Sequence, residues 1–189
     1  MPNLTFEHIE HGCRPFVVAE ISGNHNGSIE IAKKLIDAAS EAGVDAVKLQ
    51  TFTADTITIN DNKNEFWISD PENLWQGQSL YQLYEKATTP WEWHKELFEY
   101  CAHKSILCFS SPFDESAVDF LETLNCPAYK IASFELVHIP LIKHAAQTGK
   151  PLVMSTGMAS ELEISEAVNA AKESGAKKII LLKCTSAYP

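Results

Sequence analysis

The chain has 189 residues, of which 45% are hydrophobic and 21% charged, which excludes a disordered tail, a collagen-like repeat and a disulfide miniprotein. Lys and Arg number 15 against 25 Asp and Glu, a formal net charge of -10, so long-range attraction to nucleic acid or to an anionic membrane is excluded as well. An anionic ligand would need its cations placed locally.

The elements predicted along the chain alternate strand and helix. A buried strand is expected over 16–21, then an amphipathic helix over 28–42 with apolar residues Ile29, Ala32, Leu35, Ile36 and Ala39, stopped by Gly43. A second strand covers 46–50. Residues 51–89 read as a long irregular stretch, far beyond the usual βα connection of about 2–6 residues. Pro90 suits the opening of the next helix, which carries Trp93, Leu97 and Tyr100. Further strands are expected over 106–111, 129–133, 152–156 and 179–185, separated by helices near 115–124, 140–148 and 160–174. Ser160 with Glu163 fits a capping box.

Six short apolar strands, all but the last followed by a helix, indicate an α/β fold with a parallel sheet covered by helices. A doubly wound sheet and a TIM (β/α)8 barrel both fit. The sequence lacks G-x-G-x-x-G after the first strand and has no G-x-x-x-x-G-K-[ST], which lowers the first. The repeat of roughly 22–30 residues is compatible with the barrel, and the chain reaches only about six of its eight strands. The expectation is therefore a truncated TIM barrel, residues 1–189 forming the N-terminal part of the barrel domain.

Polar groups collect at the strand ends. Alternation puts Ala46, Lys48 and Gln50 on one face of the second strand, with Val47 and Leu49 on the other. The first strand carries Glu20, the third ends at Ser110 and Ser111, and the fourth carries Lys130 and ends at Ser133. The fifth ends at Ser155 and Thr156, and the sixth carries Lys183, Thr185 and Ser186. A lone strand lysine is more often a snorkelling or edge residue. Two interior lysines with an acid and four hydroxyl-bearing ends instead point to a phosphate or carboxylate site, at the end of the sheet where parallel α/β folds bind ligands.

The seven histidines contain no metal-binding spacing. His25 sits in a Gly/Asn loop after the first strand, where a functional role and a loop-bracing role are equally open. Cys184 reads as core filler. Trp67, Trp75, Trp91 and Trp93 cluster around the long stretch, as a satellite core or a sugar platform. The five cysteines lack a C-x-x-C pair and the first residues lack a secretory pattern, so a reducing cytoplasm is expected.

Six segments carry a resemblance: Ala-Glu-Ile-Ser-Gly-Asn-His-Asn-Gly (19–27), Val-Lys-Leu-Gln (47–50), Ser-Pro-Phe-Asp (111–114), Tyr-Lys-Ile-Ala-Ser (129–133), Ser-Thr-Gly-Met (155–158) and Cys-Thr-Ser-Ala-Tyr-Pro (184–189). In this order they resemble the sialic acid synthase family, and residues 79–93 with Lys183 and Ser186 resemble its pseudaminate-forming branch more than the neuraminate or legionaminate branches. The resemblance implies condensation of phosphoenolpyruvate with an N-acetylated amino sugar, 2,4-diacetamido-2,4,6-trideoxy-L-altrose in that branch, with release of phosphate. It implies Glu20 as the proton-transfer group, or alternatively as an acid orienting one of the lysines. It further implies Lys48, Ser111, Lys130, Ser133, Ser155 and Ser186 around phosphoenolpyruvate, and Gln50, Glu135 and Tyr188 facing the sugar. A divalent metal, Mn2+ or Mg2+, is implied with ligands beyond residue 189, together with a C-terminal antifreeze-like domain and a homodimer. By this reading the 189-residue piece alone has no turnover. A generic sugar-phosphate aldolase or isomerase on the same barrel is the weaker alternative.

Overall fold

A computed structural model describes residues 14–184, so Ser186 and Tyr188 lie outside the described residues. Strands β1 (Val18–Glu20), β2 (Ala46–Thr51), β3 (Leu107–Pro112), β4 (Tyr129–Ile131), β5 (Leu152–Ser155) and β6 (Ile179–Leu182) form one sheet in that spatial order, every neighbouring pair parallel. Sequential order decides between the two architectures. A doubly wound sheet reverses its order at a switch point, whereas a barrel wall lays each strand beside its predecessor. The fold is α/β of the TIM-barrel type. The sixth strand stops at Leu182 rather than 185, and the first spans three residues rather than six.

Helix α1 (Ile29–Glu41) follows β1, with Ser28 accepting from the Ile31 N–H at its N-cap. The stretch 51–89 is less irregular than its sequence suggests. It contains a single-turn helix α2 (Ala54–Ile57), a 3-10 turn (Asn64–Phe66) and helix α3 (Leu80–Ala87), opened by a capping box between Ser79 and Gln82. That box was readable as S-x-x-Q, but the helix buries no residue fully, so its apolar stripe is weak. Gly23 takes α3 against the loop after β1: a Cβ there would lie 3.1 Å from the Ala87 carbonyl oxygen. Helices α4 (Trp91–His103), α5 (Glu115–Thr123), α6 (Ile139–Gln147) and α7 (Glu161–Glu173) complete the covering layer, the last with the expected Ser160–Glu163 capping box.

The sheet's two faces follow the alternation. On the helix side, Val47, Leu49 and Cys108 pack with Ala32, Ile36 and Ala39 of α1 and with Leu97 and Cys101 of α4. Tyr129, Ile131, Leu152 and Met154 pack with Leu121, Leu141, Ile142, Ala145 and Ala171. Each such Leu or Ile contributes about 1.5–3 kcal/mol by leaving water. The other face carries Val18, Glu20, Lys48, Phe109, Lys130, Val153, Ile180 and Leu182, which line one cavity.

A buried polar chain fixes the ends of β2 and β3 against α4. His94 has no exposed surface, and its Nδ1 lies 3.2 Å from the Pro90 carbonyl oxygen. A carbonyl only accepts, so Nδ1 carries the proton and the ring is neutral. Nε2 then accepts from the Thr51 hydroxyl at 2.8 Å, and Thr51 Oγ1 accepts from Ser110 at 2.7 Å. Thr51 and Ser110 are the helix-side neighbours of Gln50 and Ser111, so this chain sets the positions of two site residues.

Candidate active site

The register of the parallel pairs assembles the site. Glu20 is paired with Lys48, Lys48 with Phe109, and Gln50 with Ser111, so residues one strand apart stand side by side on the inner face. Lys48 is only 6% exposed, with its ammonium 2.8 Å from Glu20 Oε2 and donating to Ser111 Oγ at 3.3 Å. Glu20 is half-exposed at the cavity mouth. Through Oε2 it meets the Lys48 ammonium, the contact an orienting acid would make.

Lys130 is 7% exposed and makes no ion pair among the described residues; its ammonium donates to the Ile131 carbonyl at 3.0 Å and to Ser155 Oγ. Burial, and then the charge of Lys48, push its pKa down to about 8. A cation held nine-tenths buried without a carboxylate is costly to a folded protein, and such a perturbed group in a cleft marks a functional site. The cavity shared by Lys48, Lys130 and Glu20 has a volume of about 190 Å³. That suits a small anion rather than a drug-sized ligand, which takes about 300–1,000 Å³.

Glu135 follows Ser133 on the 3-10 turn (Phe134–Val137) beyond β4. Burial raises its pKa, with Lys130 and His138 acting in the opposite sense. Its Oε2 is buried with no hydrogen-bond partner among the described residues. A buried acceptor without a donor calls for one from a ligand. Tyr84 of α3 is close enough for the Glu135 charge to raise its pKa, after burial, and the Phe52 ring meets both Tyr84 and Phe113 edge-on at 5.9 and 5.3 Å. The long stretch after β2 therefore delivers α3 to the Glu135 side of the site.

The profile of the NeuB family matches residues 35–189. The chain belongs to the NeuB family. The pseudaminic acid synthase of Helicobacter pylori is 47% identical over 175 residues, covering 93% of this chain and 51% of that protein. The N,N'-diacetyllegionaminic acid synthase of Campylobacter jejuni is 37% identical over 179 residues, 93% of this chain and 53% of that protein. The crystal structure of an N-acetylneuraminic acid synthetase from Leptospira borgpetersenii superposes with a TM-score of 0.77 at 30% identity, covering 92% of this chain and 55% of the other. The chain thus spans about half the length of the curated relatives it matches.

Of the residues singled out from the NeuB-type motifs, Glu20, Lys48, Ser111, Lys130 and Ser155 are brought together along the inner face. Gln50 and Ser133 sit at strand ends above them, and Glu135 lies within electrostatic range of Lys130. His25 is fully buried and braces the loop: its Nδ1 accepts from the Gly27 N–H and its Nε2 bonds Thr89 at 3.1 Å. Trp67 and Trp75 are exposed, and the other two tryptophans pack against rings. Trp91 stacks on Phe120 at 4.7 Å and Trp93 meets His25 edge-on at 5.5 Å. Cys184 was misread as core filler. It is only partly buried, and its Sγ donates to the Leu182 carbonyl at 3.5 Å.

Proposed function

We propose that the protein condenses phosphoenolpyruvate with an N-acetylated amino sugar aldehyde, giving a nine-carbon 2-keto acid and phosphate. The observation that carries this reading is the pair of buried lysines, Lys48 and Lys130, sharing one small cavity with Glu20. Lys130 and Lys48 neutralise the phosphate and carboxylate, with Ser111, Ser133 and Ser155 as hydroxyl donors to the same ligand. C3 of the enol attacks the aldehyde carbon, forming the C–C bond while the aldehyde oxygen takes a proton. Water then adds at C2, and phosphate leaves as the C–O bond to it breaks. Glu20 is the carboxylate placed to move the water's proton. Glu135, with its unpartnered buried oxygen, accepts from an N–H or O–H of the sugar, and Gln50 faces the same side.

Among the described residues no three His, Cys, Asp or Glu side chains converge to hold a metal ion. The described residues therefore do not by themselves fit the divalent metal that the resemblance implies, and no step is assigned to it. The pseudaminate branch is supported by 47% identity to the synthase of H. pylori, against 37% to the legionaminate enzyme of C. jejuni. The same resemblance supports a homodimer and a cytoplasmic location; among the described residues no helix is long and apolar enough to cross a membrane.

The test is phosphate release by the full-length protein with phosphoenolpyruvate, Mn2+ and the trideoxy-diacetamido sugar. Sugar-dependent release is expected, and its absence with every N-acetylated sugar tried would remove the reading. Glu20→Gln should lower turnover by about 100-fold or more while phosphoenolpyruvate still binds. Unchanged turnover would leave Glu20 with the orienting role alone.

A further inference from the structure

Helix α3 carries the one described tyrosine whose hydroxyl makes no hydrogen bond inside the fold. Tyr81 of the same helix donates to Asp55 at 3.0 Å, Tyr100 donates to Asp37 at 2.9 Å, and Tyr129 donates to Glu122. Tyr84 is half-buried and donates to no group among the described residues. Glu135, whose charge reaches it, has the complementary gap: its Oε2 is buried and accepts from none of the described residues. We propose that Tyr84 is a specificity-determining residue for the sugar: its hydroxyl donates to the carbonyl oxygen of an N-acetyl group whose N–H is accepted by Glu135, with the acetyl methyl against the Phe113 ring. This deepens, and rests on, the reading of the site as that of an amino-sugar synthase.

Ring contacts place Tyr84 at the mouth of the site. Phe52 directly follows β2, just beyond Gln50, and Phe113 directly follows β3, just beyond Ser111. The Phe52 ring is buried and meets Tyr84 and Phe113 edge-on at 5.9 and 5.3 Å, so the three rings form one wall at the strand ends. The chain leaving α3 is pinned to the same residue. The Thr88 hydroxyl and the Trp91 indole N–H both donate to the Phe52 carbonyl, at 2.6 and 3.2 Å, and Gly23 lets Ala87 approach the loop after β1. A helix that buries no residue fully is thus held at its C-terminal end, and Tyr84 lies within a turn of Ala87.

A secondary amide answers both gaps at once. Its carbonyl only accepts and its N–H only donates, on opposite sides of one planar group. Tyr84 supplies the donor and Glu135 the acceptor. A sugar hydroxyl would need both partners within reach of a single oxygen, and it brings no methyl to the Phe113 ring. Burial, and then the Glu135 charge, raise the Tyr84 pKa, so its O–H remains a donor through neutral and mildly alkaline pH. Discrimination follows from the same pairing, because a buried polar group that loses its partner keeps its desolvation cost.

The experiment compares phosphate release by the full-length protein with that of Tyr84→Phe, which keeps the ring on Phe52 and removes only the hydroxyl. The probes are the trideoxy-diacetamido sugar and its two analogues with one acetamido group replaced by hydroxyl. For the diacetamido sugar kcat/KM is expected to fall by about 3- to 10-fold, with KM for phosphoenolpyruvate and the melting temperature unchanged. The analogue lacking the acetamido group that Tyr84 reads should not distinguish variant from wild type, and the other analogue should show the full effect. An unchanged kcat/KM for the diacetamido sugar overturns the proposal. So does an equal fall with both analogues, or a lowered melting temperature together with a raised KM for phosphoenolpyruvate, each of which makes Tyr84 a structural residue of α3. Absence of sugar-dependent phosphate release by the wild type is a different outcome, which overturns the functional reading and this assignment with it.

Discussion

Lys130→Met is expected to make the unliganded protein more stable and the enzyme all but inactive. The stability gain follows from the sign of the lysine's titration. Its folded pKa is about 8, against an ordinary value of 10.5, so between those values the unfolded chain binds a proton that the folded one refuses. Stability therefore rises with pH across that window, and below about pH 8 the folded state carries the ammonium at a cost of about 3 kcal/mol. Methionine fills a similar volume without the charge. The apparent melting temperature at pH 7 should rise by several degrees, while kcat/KM for phosphoenolpyruvate falls by about 100-fold or more. A protein that becomes less stable and stays active would place Lys130 among structural residues. Opposite signs in stability and activity are what a binding site kept at the fold's expense produces.

The second large effect is acid lability set by His94. Burial pushes its pKa from 6.5 down to about 4, because the ring is enclosed, with one nitrogen accepting from Thr51 and the other donating to Pro90. Above pH 6.5 the ring is neutral folded or unfolded and contributes no pH dependence. Between pH 6.5 and 4 the unfolded chain takes up a proton and the folded protein does not, so stability falls with falling pH by up to about 3 kcal/mol. Urea melts at half-unit steps should show that slope. His94→Gln offers Thr51 an acceptor that does not titrate, and should flatten the slope even though its stability at pH 7 is lower by about 1–2 kcal/mol. An unflattened slope would assign the lability to other groups. Because Thr51 and Ser110 adjoin Gln50 and Ser111, loss of this chain should also raise KM for phosphoenolpyruvate.

The barrel-type order and the inner face were legible because both rest on local rules. Strand and helix alternate with short links, and period-two alternation separates Lys48 and Gln50 from Val47 and Leu49. Lys130 follows the same parity. The stretch 51–89 was not legible: α3 buries none of its residues fully and is held by its Ser79 cap and the close approach at Gly23, a tertiary contact that no sequence window contains. His25 and His94 were likewise fixed by partners 64 and 43 residues away. The misreading of Cys184 has a simpler cause. Its apolar neighbours dominate the run, yet the strand ends at Leu182, and beyond it the thiol is only partly buried.

The most direct measurement is the calorimetric affinity of the full-length protein for phosphoenolpyruvate between pH 6.5 and 9.5. Binding needs Lys130 charged, and its pKa of about 8 puts the change inside that range. The affinity should be nearly level up to about pH 7.5, then weaken toward tenfold per pH unit above 8, and the Lys130→Met variant should lose both the affinity and the dependence. An affinity that is level to pH 9.5, or that survives in Lys130→Met, would contradict the assignment of the lysine-lined end as the phosphoenolpyruvate site.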